Sequence, residues 1–66
     1  MFNKFKNNEI VIVSGIGECN EKVYTNIKAT IICRDPYYYD YNIKFEDGTE
    51  DWIKEVFISK LEGEQK

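Results

Sequence analysis

Sixty-six residues, 42% hydrophobic and 15% aromatic, make one globular domain near the lower size at which a single core holds, and the composition excludes a disordered chain. Net charge is −3, and residues 46–66 hold seven acids against three bases. Affinity for a phosphate backbone needs a basic stripe, so general nucleic-acid binding is not expected. No apolar run approaches the roughly 18–20 residues of a membrane span.

Residues 1–8 (MFNKFKNN) are rich in Lys and Asn and read as a flexible end. They lack the apolar centre of a signal peptide, so a cytoplasmic location is expected. Glu9 to Ser14 (EIVIVS) is β-branched and short, which favours a strand over a helix. Gly15 to Asn20 (GIGECN) reads as a loop. Val23 to Arg34 carries the second strand, from about Asn26. Strict alternation puts Ile27, Ala29, Ile31 and Cys33 inward, with Lys28, Thr30, Ile32 and Arg34 outward.

Asp35-Pro36 ends that strand, because proline has no ladder donor and restricts its predecessor. Tyr37, Tyr38 and Tyr39 fill the connection. Asp40 to Glu46 alternates cleanly, with Tyr41, Ile43 and Phe45 inward. Asp47-Gly48 signals a hairpin of type I′, and Thr49 to Ile53 returns as the fourth strand. Lys54 to Val56 suits a single 3₁₀ turn, Phe57 to Leu61 a fifth strand, and 62–66 a frayed tail. The expected core is Val11, Val13, Ala29, Ile31, Cys33, Ile43, Phe45, Ile53, Val56 and Ile58.

Five short strands with one 3₁₀ turn before the last describe an all-β, SH3-like barrel spanning residues 1–66 as a single domain. The stretch from Ile27 to Leu61 resembles Tudor domains. The residues carrying the likeness are Ala29-Thr30-Ile31, Tyr41 to Phe45, Glu46-Asp47-Gly48-Thr49 and Val56-Phe57-Ile58. The resemblance implies a barrel that binds a partner at one open end, often through an aromatic cage for a methylated cation. Phe45 matches one cage position. Ile27 and Asp51 stand where two more aromatics belong, with Trp52 one place along on the opposite face of the strand. Methyl-lysine recognition is therefore not expected.

Four tyrosines in the five positions from Tyr37 to Tyr41 cannot all enter so small a core. Those left exposed offer rigid contact area with a polar tip. Together with Trp52 and the acidic hairpin residues Asp47, Glu50 and Asp51, they make a candidate protein-binding surface; solvated acids and rings capping the core are the plain structural alternative. Trp52 by itself suits packing better than contact, and Tyr24 is placed at the tyrosine-loop end. A second reading is a nucleotide binder, with Tyr24 stacking on a base and Lys28 and Arg34 meeting phosphate. A third is a homo-oligomer joined through the exposed rings.

The chain has no histidine and two cysteines. That is too few ligands for a zinc site, and no cofactor is expected. Cys33 reads as a small buried hydrophobe and Cys19 as a free thiol. With no nucleophile–base pair or phosphate-cradling loop, no enzyme activity is expected. The abundance of Lys, Asn, Ile and Tyr suits an AT-rich genome. It suggests a low-GC bacterium or a phage, and a small phage or mobile-element inhibitor of a host defence protein.

Overall fold

A computed structural model describes residues 4–61 of the chain. Among them, five strands form one antiparallel sheet: β1 (Ile10–Ile16), β2 (Val23–Arg34), β3 (Asp40–Phe45), β4 (Glu50–Lys54) and β5 (Ile58–Lys60). The order across the sheet is β4-β3-β2-β1-β5, so each strand except β5 lies beside its sequence neighbour. A one-turn 3₁₀ helix, Glu55–Phe57, carries the chain from β4 to β5. No helix among the described residues is long and apolar enough to cross a membrane.

A single sheet buries its apolar face only by curling around it. The inner face supplies Val11, Val13, Tyr24, Ala29, Ile31, Tyr41, Ile43, Phe45, Ile53 and Ile58, and Phe5 covers them from outside the sheet. Alternation along β3 is as expected, with Tyr41 and Ile43 wholly buried and Phe45 nearly so. The curl brings the chain after β1 back to β4, three strands away in the sheet. There the Glu18 N–H donates to the Trp52 carbonyl at 2.9 Å and Asn20 Nδ2 to the Glu50 carbonyl at 3.3 Å. The 18–20 segment thus covers a strand edge that would otherwise be open to pairing.

Two bulges overturn the strict alternation expected for β2. Val13 pairs with Ile27 but Gly15 pairs with Tyr24, so two residues of β2, Thr25 and Asn26, oppose Ser14. Asn26 takes a left-handed conformation, φ 50°. The Ser14 hydroxyl accepts the Asn26 N–H and donates to its side-chain oxygen, both at 3.0 Å. The extra residue reverses the inside–outside phase on the N-terminal side of the bulge. Tyr24 turns inward and Val23 is left exposed, while Ile27, opposite Val13, keeps the expected inner face but is 39% exposed. The second bulge falls between Ile31 and Cys33. It sets Cys33 opposite Asn42, on the outer face, and Cys33 is half-buried rather than in the core.

Other expectations are corrected locally. Val56 is 82% exposed, because the 3₁₀ turn directs its neighbour Phe57 against the core instead. The Phe57 ring lies where a Cβ on Gly15 would be. The Asp47-Gly48 turn is not type I′, since only Gly48 has positive φ, 94°. Gly48 N–H donates to the Phe45 carbonyl at 2.9 Å and Phe45 N–H to the Thr49 carbonyl at 2.8 Å. That pattern is a type I turn closed by a glycine bulge. It is favoured here because Asp47 Oδ1 accepts both the N–H and the hydroxyl of Thr49, at 3.0 and 2.7 Å.

Residues 4–8 are not the loose end expected from their composition. Phe5 is 1% exposed and meets Tyr41 edge-to-face at 5.5 Å. The Asn8 N–H donates to the Ile31 carbonyl and the Ile31 N–H to the Glu9 carbonyl, at 2.7 and 2.8 Å. The fraying expected for residues 1–3 and 62–66 lies outside the described residues.

Candidate binding surface

The connection from β2 to β3 is short and tightly held. The Asp35 N–H donates to the Asp40 carbonyl at 3.0 Å, closing the loop at its base. Asp35 Oδ1 accepts the N–H groups of Tyr37 and Tyr38, at 2.8 and 3.3 Å. An aspartate before proline does this readily, because its carboxylate mimics a turn acceptor two residues on. With the backbone turned around Asp35, the three rings have no route to the core. Tyr37, Tyr38 and Tyr39 are 86%, 66% and 61% exposed.

The 3₁₀ turn is fastened to this loop, since the Glu55 N–H donates to the Tyr39 carbonyl at 2.7 Å. Glu55 also accepts from the Tyr41 hydroxyl at 3.1 Å. These two bonds place exposed Val56 beside the tyrosines. Between them lies a groove of ≈ 570 Å³, with Asp40 and Lys54 on its polar side. Val56 was expected in the core, and no alternation pattern marks a one-turn helix, so the sequence carried no sign of its part here.

An adjoining cleft is lined by Glu18, Asp35, Tyr38, Asp40 and Trp52. Trp52 stands opposite Asn42, on the outer face and half-buried, so it is not a core residue. Lys54 Nζ pairs with Glu18 at 3.0 Å. Burial, and then the Glu18 carboxylate, hold the Asp40 carboxyl above the usual carboxylate range against the pull of Lys54. Glu18 and then Asp40 in turn hold the Lys54 ammonium above its ordinary value.

Two residues of the candidate contact surface lie inside the protein: Tyr41, as its inward place on β3 requires, and Asp51. Tyr41 is fully buried, and its hydroxyl also receives the Phe5 N–H over a long 3.4 Å. Asp51 is 2% exposed. Its Oδ1 accepts the N–H of Cys19 at 2.9 Å and of Trp52 at 2.7 Å, and Oδ2 accepts the Tyr24 hydroxyl at 2.9 Å. Asp51 is buried because three donors repay the loss of water, so its role is structural. Asp47 and Glu50 are exposed, but they belong to the hairpin end of the sheet, away from the tyrosine loop. The expected acidic patch is therefore divided.

The three residues of the nucleotide reading do not converge. Tyr24 lies at the hairpin end, not beside the tyrosine loop, and its ring is stacked on Phe45 at 4.4 Å. Burial raises the Tyr24 phenol above its ordinary value; Asn20 opposes this and the Asp51 carboxylate adds to it. Lys28 pairs with Ile12 on the outer face, whereas the second bulge puts Arg34 opposite inward-facing Tyr41. Arg34 lies over the Tyr39 ring at 5.6 Å. The stacked pair Tyr24–Phe45 also borders a smaller hollow of ≈ 210 Å³ with Ile27 and Asp47, where the rings face each other and form no open cage. The chain matches no family model, no curated protein and no solved structure.

Proposed function

We propose that this chain is a non-catalytic protein-binding module whose contact surface is the tyrosine loop and the 3₁₀ turn. The observation that carries the reading is the patch of Tyr37, Tyr38, Tyr39 and Val56, all more than half exposed around one groove. Three such rings leave on the order of 400 Å² of aromatic surface in water, as much as the largest patch of an ordinary monomer. Asp35 orders the backbone that carries Tyr37 and Tyr38, and a pre-ordered backbone loses less entropy on binding.

The strand order, the 3₁₀ turn before β5 and the 18–20 segment along β4 support an SH3-like barrel of the Tudor type as the finer description of the curled sheet. The absence of histidine from the sequence supports a binder over an acid–base enzyme. The abundance of Lys, Asn, Ile and Tyr, which suits AT-rich coding, supports a role as a phage or mobile-element inhibitor of a host defence protein in the host cytoplasm.

The test is capture of a partner from host lysate by the immobilised protein and by its Tyr37→Ala/Tyr38→Ala/Tyr39→Ala variant. Loss of one specific partner with an unchanged melting temperature is expected. Undiminished capture by the folded variant overturns the reading. The same exposed rings favour self-association as the second reading, and a sedimentation mass that doubles with concentration in the wild type alone selects it.

A further inference from the structure

The groove beside the tyrosine loop continues past Tyr38. It shares Tyr38 and Asp40 with the cleft of ≈ 560 Å³ that Glu18, Asp35 and Trp52 complete. The two form one trough, apolar at the Tyr37–Val56 end and acidic at the other.

Charge on the trough is unbalanced. Four carboxylates border it, those of Glu18, Asp35, Asp40 and Glu55, while Lys54 is the one base among its lining residues. Lys54 and Glu18 pair with each other, and nearby Arg34 lies against Tyr39. Among the described residues, Asp35, Asp40 and Glu55 are therefore the carboxylates of the trough with no ion-pair partner. Burial, and after it the neighbouring Glu18 carboxylate, hinder ionisation of Asp40, and a cation brought beside the two carboxylates relieves the second of these. Among the described residues no three acidic or thiol groups converge to hold a metal ion. Tyr38 and Trp52, which line the same cleft as Asp40, supply ring surface for a cation on an organic side chain.

Resting on the protein-binding reading above, we propose that the trough docks a basic segment of a partner protein. Its lysine or arginine head group enters between Tyr38 and Trp52 toward Asp40, and its apolar neighbours lie along Tyr37 and Val56. Size agrees with a segment: the exposed rings offer about half of the roughly 800 Å² per partner in a standard protein interface. Charge disfavours a second copy, which would bring the same carboxylates face to face.

The test uses arrays of synthetic peptides about ten residues long, random except for a fixed central arginine, lysine, glutamate or alanine. The wild-type protein is expected to retain the arginine and lysine sets about tenfold better than the other two at low salt, with the preference shrinking as salt rises. The Glu18→Gln/Asp40→Asn variant keeps the backbone contacts of both positions and is expected to lose the preference while its melting temperature holds. Equal retention of all four sets, binding of none, a preference for glutamate, or an undiminished preference in the double variant each overturns the proposal. If it falls while the triple tyrosine variant still abolishes partner capture, the binding reading survives with a different partner chemistry. If the triple variant captures normally, both fall.

Discussion

The Tyr24 hydroxyl donates to the buried Asp51 carboxylate at 2.9 Å, joining β2 to β4 across the inner face of the intervening β3. Cys19 donates to the same carboxylate, so one acidic side chain ties together two strands and the 18–20 segment. This cluster holds the curl of the sheet at the hairpin end and leaves the opposite end, with the tyrosine loop, free to act as a surface.

Removing Asp51 leaves a phenol and two amides short of an acceptor. Asp51→Ala is expected to cost about 3 kcal/mol in urea denaturation, because unmet buried donors lose their full hydration. Tyr24→Phe is expected to cost about 1–2 kcal/mol, and the double variant less than the sum, with a coupling of about 1–2 kcal/mol. Strict additivity would show that the bond contributes nothing.

Tyr24 also sets an alkaline limit. Its folded pKa lies above the ordinary 10.0, so the neutral phenol is the form the fold favours. Its stabilising contribution is complete below pH 10 and is lost as pH rises through the folded value. Denaturation midpoints measured between pH 8 and 12 are expected to fall more steeply above pH 10 for the wild type than for Tyr24→Phe. Parallel curves would contradict this.

Gly17 abuts Asp51 so closely that a Cβ would overlap the carboxylate. Gly17→Ala is therefore expected to lose about 1–3 kcal/mol through overpacking and to expose the Cys19 amide. Hydrogen exchange at Cys19, faster in the variant while β1 stays protected, is the measurement that checks it.

Phe5 behaves as a core residue although it lies outside the sheet. Phe5→Ala is expected to cost about 3–5 kcal/mol in chemical denaturation, whereas each alanine substitution at Tyr37 or Tyr38 stays within about 0.5 kcal/mol. A Phe5 effect as small as the tyrosine effects would mean that residues 4–8 do not seal the core.

Glu9 fastens that same end at low cost. Burial alone would raise its carboxyl, but the Lys6 N–H and the Lys60 ammonium outweigh it and hold the pKa below 4.5; Lys60 Nζ lies at 2.9 Å. The contribution is complete above the unfolded value and is lost as pH falls through the lower folded one. With Lys60 half in water, Glu9→Gln is expected to cost only about 0.5 kcal/mol at pH 7. The difference from wild type should shrink steadily as pH is lowered from 4.5, and a gap independent of pH would place the effect elsewhere.

Much of the fold is legible along the chain because a strand with one face in a core must alternate. Tyr41, Ile43 and Phe45 turn inward as their spacing requires, Asp47-Gly48 makes a hairpin, and one short turn precedes the last strand. The excess of tyrosine after Asp35-Pro36 likewise dictates that rings stay in water, since no core of this size accepts four. Tertiary structure decided the rest. An inserted residue at Asn26 or Ile32 leaves no mark on composition yet reverses the phase of the strand on its far side from Ile27–Ile31. That is why Tyr24 enters the core while Cys33 leaves it and Lys28 and Arg34 part company. Asp51 is buried only because Tyr24, Cys19 and Trp52 converge on it, and Phe5 only because the curled sheet leaves an end to cover. Val56 reaches the tyrosines only through the bond from Glu55 to Tyr39. Alternation is a property of one strand, whereas bulges, buried donors and shared clefts are agreements between segments far apart in sequence.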